Sequence, residues 1–480
     1  MASLNFKEQY NDGACIAAIA TAAGSSALAI VRISGNGCLE ALGGVFSRPQ
    51  ALLKAEGNSV VYGWIVDEGK KIDEVLISKY TSPKSYTGED AADICCHGGS
   101  SAPLAVLKTL LKHGFRGALN GEFSLRSFLN GKIDLTKAES ILEIISAKTD
   151  HLRSNAIFRL SGALETTINN IKQKILNLLS EIELLLDYSE VDGVGNDQNI
   201  MLDDTQINVL QEVKTSLLSL KESYNGEKLY REGVLVVIAG PPNAGKSSLF
   251  NLLVKEDRSI VTELAGTTRD WIDASIVIDD IPIRLVDTAG LHDSCDTVEK
   301  LGIKRSLDLV AEADAVLYVL DGECGVTKED LDFFSENKNI ASKIIILWNK
   351  CDISKHDISK QTENLPLGDM LCINTCAKNG EGIKEVGIRL TTLLRNLFLV
   401  SEFVLSESLQ TTLGSERQCA IVSDALISIN DAIKANNASL PLDIISLSIR
   451  EAIDHLGRLT GEVSTDDILE SMFSKFCVGK

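Results

Sequence analysis

Gly240-Pro-Pro-Asn-Ala-Gly245-Lys246-Ser247 has the spacing G-x-x-x-x-G-K-[ST], whose glycines let backbone N–H groups curl around phosphate oxygens. In that pattern Lys246 neutralises charge at the β- and γ-phosphates and Ser247 offers its hydroxyl to Mg2+. The N-terminus of the following helix adds its dipole. Asn243, Ala244, Gly245 and Ser248 complete the candidate cradle. Four more segments follow in order. Gly266-Thr267-Thr268-Arg269-Asp270 supplies hydroxyls, with Thr268 to complete the Mg2+ shell. Asp287-Thr-Ala-Gly290 brings a carboxylate for the metal shell and a glycine that can sense the γ-phosphate. In Asn349-Lys350-Cys351-Asp352, Asp352 can accept from the two donors on guanine's N1/N2 edge; adenine would leave that carboxylate unpaired. Cys376-Ala377-Lys378 can meet guanine O6 with a backbone N–H. The set implies a hydrolase for GTP.

The catalytic detail is less ordinary. Leu291 follows Asp-Thr-Ala-Gly and cannot hydrogen-bond to water, where signalling GTPases carry a glutamine. Something else must orient the nucleophile, and no arginine is marked as a charge donor.

These motifs need strands that end beside one another. Val234-Leu-Val-Val-Ile-Ala-Gly240 is a solid apolar run, as in a fully buried parallel strand. Runs at Ile283–Val286, Ala315–Leu320 and Ile344–Trp348 alternate with helical stretches. That pattern predicts a Ras-like, doubly wound GTPase domain over 233–398. Residues 1–120 mix short apolar runs with glycine turns and one helical stretch near Ser101–His113, an α+β pattern. Leu135, Ala138, Ile141, Leu142 and Ile145, and later Ile171, Ile175, Leu178, Leu179 and Ile182, recur at three and four, as helices require. The same period returns beyond 403, at Leu426, Ile429 and Ile433 and at Ile444, Leu447, Ile449 and Ile453. The economical architecture is multidomain, α/β plus α. A helical domain in two parts (121–232 and 399–480) is interrupted by the GTPase domain and preceded by the α+β domain.

Across 480 residues there are 47 Lys+Arg and 67 Asp+Glu, a net charge of −20 that opposes non-specific coating of nucleic acid or anionic membrane. Residues 1–120 hold 11 basic and 11 acidic groups, so the excess acid lies beyond them. The Glu181–Asp204 stretch, with eight carboxylates and no Lys or Arg, reads as a solvated face or acidic loop. Eleven cysteines show no C-x-x-C pair or zinc spacing, which fits a reduced cytoplasm rather than a disulfide scaffold. Residues 13–31 carry no charge, but Gly24-Ser25-Ser26 interrupts them, predicting strand, turn, strand rather than a membrane span.

The P-N-A-G-K-S-S loop, G-T-T-R-D, the leucine after D-T-A-G and the ending Phe476-Cys-Val-Gly-Lys480 together resemble the MnmE (TrmE) family of tRNA-modification GTPases. The resemblance extends over nearly the whole chain, through Arg32-Ile-Ser-Gly, Tyr86-Thr-Gly-Glu89, Gly121-Glu-Phe-Ser, Phe128-Leu-Asn-Gly-Lys132 and Leu459-Thr-Gly-Glu. It implies that K+ replaces the arginine finger, held by Asn243, Thr262, the Leu264 carbonyl and Thr267, and that Glu299 orients water. It implies a folate-binding-like N-terminal domain in which Arg32, Glu89, Lys132 and Lys480 contact a tetrahydrofolate derivative (5,10-methylene or 5-formyl). From the residues alone, each of these four reads as an exposed charge. Cys477 falls on a proposed catalytic thiol, with Lys475 and Lys480 nearby to favour a thiolate, although the residues alone also allow a free core cysteine. The chain departs from the family pattern at Val478, where isoleucine is common, and at Cys376, where serine is usual.

The implied activity is GTP hydrolysis driving C5 modification, of the carboxymethylaminomethyl or aminomethyl type, at the wobble uridine of certain tRNAs. The implied partners are an FAD-dependent MnmG-type subunit, tRNA engaged mainly through that complex, and a second copy joined through the N-terminal domain. A ribosome-assembly GTPase acting as an rRNA-binding switch is the alternative. It shares P-N-x-G-K-S and G-T-T-R-D but calls for an appended basic domain, whereas residues 399–480 hold 6 basic and 12 acidic groups. A membrane-remodelling GTPase would need a basic or apolar tip, which the sequence lacks.

Overall fold

The structure, a computed structural model, describes residues 13–191, 201–256, 272–288, 308–354, 372–398 and 411–480. These fall into two compact units, 1–142 with 159–217 and 415–480, and 143–158 with 218–414.

In the first unit the uncharged 13–31 stretch is indeed two antiparallel strands, β1 (Ile16–Ile19) and β2 (Leu28–Ser34). Helices α1 (Cys38–Gly44) and α2 (Pro49–Lys54) follow, then β3 (Ser59–Asp67), β4 (Lys70–Tyr80) and β5 (Ala91–His97). Helix α3 (Ala102–Lys112) and the short β6 (Arg116–Gly117) complete a sheet of order β3-β4-β5-β2-β1-β6. All neighbours are antiparallel except β1 and β6. Strand alternation sends Val31, Ile33, Ile65, Ile77 and Ile94 into a core with Leu42, Val106 and Leu110 of the helices. The opposite face carries Arg32 and Ser34, and leaves Leu28, Val60, Tyr62 and Leu76 exposed.

Helices α4 (Glu122–Leu129), α5 (Leu135–Ser146), α6 (Asp150–Leu160), α7 (Ala163–Val191) and α8 (Asp204–Glu232) follow. Helix α7 takes in the first eleven residues of the acidic Glu181–Asp204 stretch. The second unit, which already holds most of α6 and the end of α8, continues with β7 (Val234–Ala239), α9 (Lys246–Glu256), β8 (Ile272–Ile278) and β9 (Ile281–Asp287). It continues through β10 (Ala315–Asp321), α10 (Lys328–Glu336), β11 (Ile344–Asn349), β12 (Cys372–Asn374) and α11 (Ile383–Leu397). Its sheet runs β12-β11-β10-β7-β9-β8 and is parallel except for the β8–β9 hairpin. Both faces are covered. Val236, Ile238, Leu317, Val319, Ile345 and Leu347 pack on α9 and α11, while Val237, Val316, Tyr318, Ile346 and Trp348 pack against Phe334, Ile340 and Val310. Double burial is why these strands read as continuous apolar runs.

The chain then returns to the first unit as α12 (Glu416–Asn437), α13 (Leu442–Thr460) and α14 (Asp466–Phe473). The helix expected around Ile444 and Leu447 is present, but its buried stripe is Leu442, Ile445, Ile449, Ala452, Leu456 and Leu459. Ile444 and Leu447 are exposed. One buried carboxylate joins the returning segment to the earlier helices. Glu139 of α5 accepts from Arg417 Nε and Nη2 at 2.7 and 2.9 Å, from Gln418 Nε2 at 2.5 Å and from Ser415 Oγ at 3.1 Å. No helix among the described residues is long and apolar enough to cross a membrane. Ten cysteines in the described residues are free thiols. Replacing Glu139 with alanine strands the Arg417 charge and should cost about 3 kcal/mol. An earlier urea midpoint for the helical signal is the expected readout, and an unchanged midpoint would remove Glu139 from this role.

Candidate nucleotide site and carboxylate cluster

The nucleotide motifs sit where a doubly wound sheet delivers them, at the carboxyl ends of β7, β9, β10, β11 and β12. Gly240 has φ 139°, and a Cβ there would lie 2.3 Å from the Val319 carbonyl oxygen, so glycine is required. Gly245 (φ 97°) leaves room for the Asn349 amide, which a Cβ would approach to 2.2 Å. Between them Asn243 takes φ 59°, exposing its side chain. Lys246 opens α9 and folds back, donating to the Gly240 and Pro241 carbonyls at 2.9 and 2.7 Å. Its burial pushes the ammonium pKa down, with Asp287 acting in the opposite direction. Ser247 Oγ donates to Asp287 Oδ2 at 2.7 Å, bringing together a hydroxyl and a buried carboxylate as a hard-oxygen pair suited to Mg2+. Thr288 anchors the end of β9 through its hydroxyl to the Ile238 carbonyl at 2.9 Å.

At the base-reading end, Asn349 Nδ2 donates to the Ala244 carbonyl at 2.7 Å while its Oδ1 accepts from the Ala377 N–H at 3.0 Å. This one amide fastens three motifs. Lys350 is held at φ 60° with its ammonium on Asp321 Oδ2 at 2.6 Å, which raises the Lys350 pKa. The neighbouring Gly322 N–H donates to the Asn349 carbonyl at 2.8 Å. Asp352 is exposed, Cys376 is buried, and Ala377 and Lys378 follow on the turn after β12. Cys376 donates its backbone N–H to the Glu381 carbonyl at 3.0 Å, so the residue type there leaves the turn intact. Sequence reasoning missed Asp321 and Gly322. Their signal was present: an acidic residue and a glycine end an apolar strand, as they do elsewhere in this sheet. Ser248 is exposed on α9. Thr262, Leu264, Thr267, Thr268, Gly290 and Glu299 lie outside the described residues.

A second cluster forms in the first unit around the end of β2. Arg32 makes a two-pronged pair with Asp93, Nε to Oδ1 at 2.8 Å and Nη2 to Oδ2 at 3.2 Å. Burial works against the Arg32 charge, but the hydrogen-bonded Asp93 carboxylate outweighs it and the pKa rises. Arg32 Nη1 also reaches the Gly479 carbonyl at 3.4 Å. The chain terminus is thereby docked: Val478 bridges Asn120, and a Cβ on Gly479 (φ 98°) would lie 2.8 Å from the Ile19 carbonyl oxygen. Lys480 is half-buried, and burial followed by the nearby Arg32 lowers its pKa. Glu89 accepts from Ser34 and Arg126, and Lys132 packs beside Gly88 with its ammonium on the Pro83 carbonyl at 3.0 Å. Arg32, Glu89, Lys132 and Lys480, scattered over the sequence, thus share one neighbourhood. Cys477 is exposed at its edge. Among the described residues no His, Cys, Asp and Glu group has a metal-binding arrangement of three or more.

A phosphate loop on a buried parallel strand, a serine–aspartate pair and an asparagine-locked base loop define a P-loop GTPase. Sequence profiles place it further: that of the GTP-binding protein TrmE N-terminus matches residues 15–132, and that of the MnmE helical domain matches 135–477. The tRNA modification GTPase MnmE of Treponema denticola is 39% identical over 98% of this chain and 99% of its own length. That of Borreliella burgdorferi is 41% identical over 97% and 98%. The chain belongs to the MnmE family of tRNA modification GTPases and is a GTP hydrolase. Asp352→Asn should shift nucleotide preference from GTP towards xanthosine triphosphate, measured by competition binding. Unchanged GTP affinity would take Asp352 out of base reading.

Proposed function

We propose that this GTPase is potassium-activated and, with an FAD-dependent MnmG-type subunit, drives tetrahydrofolate-dependent C5 modification of the wobble uridine of certain tRNAs. The observation that carries this reading is the convergence of Arg32, Glu89, Lys132 and the terminal Lys480 in one partly open cluster. A folate has an amino-pyrimidinone edge that suits a carboxylate and a glutamate tail that suits Arg or Lys. We assign the folate-binding-like domain to 1–120, the helical domain to 121–232 and 399–480, and the GTPase domain to 233–398.

In hydrolysis, Lys246 would exchange its two carbonyl acceptors for the β/γ-phosphate oxygens, which suit its charge better. Ser247, Asp287 and Thr268 would hold Mg2+, and Asn243, Thr262, the Leu264 carbonyl and Thr267 would hold K+. Bound there, the two cations supply fixed positive charge where the transition state gathers negative charge. Asn243 suits this role because its positive φ leaves its amide exposed above the loop. Glu299 would orient the attacking water in place of the missing glutamine, and Cys477 is the candidate thiol. Hydrolysis would change how two GTPase domains pair across the nucleotide.

The exposed apolar face of the N-terminal sheet supports a homodimer. Leu28, Val60, Tyr62 and Leu76 lie on one side of it, at 61%, 63%, 49% and 48% exposure, with the last three on the neighbouring strands β3 and β4. The site of action we assign is the cytoplasm.

Two measurements test this reading. Replacing KCl with NaCl should lower kcat at least tenfold, since a smaller ion fits the same oxygens poorly; equal rates would remove potassium. Nucleoside analysis of tRNA from a deletion strain should show wobble uridines lacking the C5 substituent. Unaltered wobble uridines would refute the modification while leaving the GTPase in place.

A further inference from the structure

The Glu89 carboxylate is the outer end of a buried polar network that the hydrolytic reaction does not use. Ser34 Oγ donates to Glu89 Oε2 at 2.8 Å, and Arg126 Nη1 donates to the same oxygen at 3.1 Å. Arg126 also reaches Glu89 Oε1, at 3.4 Å, and the Ala14 carbonyl at 3.1 Å. Behind it, Arg126 Nη2 donates to Glu122 Oε1 at 2.8 Å, one helical turn earlier on α4. Glu122 is itself saturated by Arg116, at 2.6 and 3.0 Å, and by the Leu119 N–H at 2.8 Å. Thr87 closes the inner side with a 2.7 Å bond to Ser34. Ser34, Thr87, Glu122 and Arg126 are all at least 97% buried, whereas the Glu89 side chain is 20% exposed.

We propose that Arg126 and Ser34, backed by Glu122, are positioning residues that fix the Glu89 carboxylate so that it selects ligands presenting two adjacent N–H donors. This rests on the folate reading of the same cluster. Two arginines and two glutamates balance in charge, so the network is neutral as a whole. A neutral buried ionic network adds little stability over apolar packing of the same volume, because desolvation offsets the attraction. What it supplies is geometry. A glutamate has several rotatable bonds, and a carboxylate already held on its inner oxygen gives up less freedom when a ligand arrives. Glu89 Oε2 is occupied by two donors, while Oε1 has only the long 3.4 Å contact among the described residues. The carboxylate is therefore held with acceptor capacity left on one edge. An amino-pyrimidinone ring offers a ring N–H and an exocyclic amine side by side, matching such an edge in a paired arrangement. A ring lacking the amine would leave that capacity unmet.

The test titrates the full-length protein with 5-formyltetrahydrofolate and with its 2-desamino analogue. Wild-type protein should prefer the parent compound by about tenfold or more, the range for a hydrogen bond to a charged group. In Ser34→Ala, and in the paired variant Glu122→Gln with Arg126→Gln, affinity for the parent should fall by about tenfold and the preference should shrink to about twofold or less. Loss of preference is the deciding reading, because general loosening of the fold would weaken both ligands alike. Should the paired variant fail to show a wild-type melting transition, Ser34→Ala, which removes a single hydroxyl, decides alone. Full preference retained in a folded variant, or equal weakening of both ligands, overturns the positioning role and leaves the folate reading standing. Wild-type protein that binds neither compound overturns both.

Discussion

The side-chain amide of Asn349 is the constraint on which the nucleotide site depends. Its NH2 group holds the P-loop through the Ala244 carbonyl, and its oxygen holds the turn after β12 through the Ala377 N–H. Phosphate recognition and base recognition are thus referred to a single group at the end of β11. That arrangement dictates Gly245, since any Cβ there would occupy the space of the amide nitrogen. It also dictates the neighbours: Gly322 must approach the Asn349 carbonyl closely, and a Cβ on Gly322 would lie 2.6 Å from that oxygen. An aspartate in place of Asn349 could not donate to Ala244, so the two halves of the site would lose their common reference.

The first unit relies on a comparable economy. Glu139 receives four hydrogen bonds from the segment that follows the GTPase residues in sequence, and Arg417 continues outward to the Arg458 and Leu459 carbonyls. Segments nearly 280 residues apart are thereby registered on one carboxylate. The same segment ends at Lys480 against Arg32, so the carboxylate cluster is complete only when the first and last parts of the chain have folded together.

Much of this was legible in the sequence, for identifiable reasons. Phosphate loops are written in glycines whose φ values no other residue adopts cheaply, and doubly covered strands are written in unbroken apolar runs. The parallel strands β7, β9, β10 and β11 were visible for that reason, whereas β8 and the two-residue β6 were not. Which side of α13 is buried was not legible, because isoleucine and leucine also occur on its exposed side; Ile444 and Leu447 share the 3.6-residue period with the buried stripe, offset around the helix. Glu122, Arg126 and Glu139 were invisible as buried groups because a charged residue in a helix is ordinarily a surface residue. Only partners brought together by the fold justify burying them. Asp321 escaped attention for a different reason: its role is to hold Lys350, and such support carries no spacing of its own.

The net charge of −20 takes on a definite structural meaning. Several of the described basic groups are already engaged by the chain itself. Arg32 pairs with Asp93, Arg126 with Glu122 and Glu89, Arg417 with Glu139, and Lys350 with Asp321. Each loses reach towards an external phosphate by being held inward. An approaching polyanion would meet an acidic excess whose compensating cations are partly committed. Counterion release, the main source of affinity for nucleic acid, scales with the phosphates that free Lys and Arg can neutralise. A tRNA substrate is therefore compatible with this chain when a basic partner supplies most of those contacts, leaving the GTPase surface to read guanine and phosphate alone.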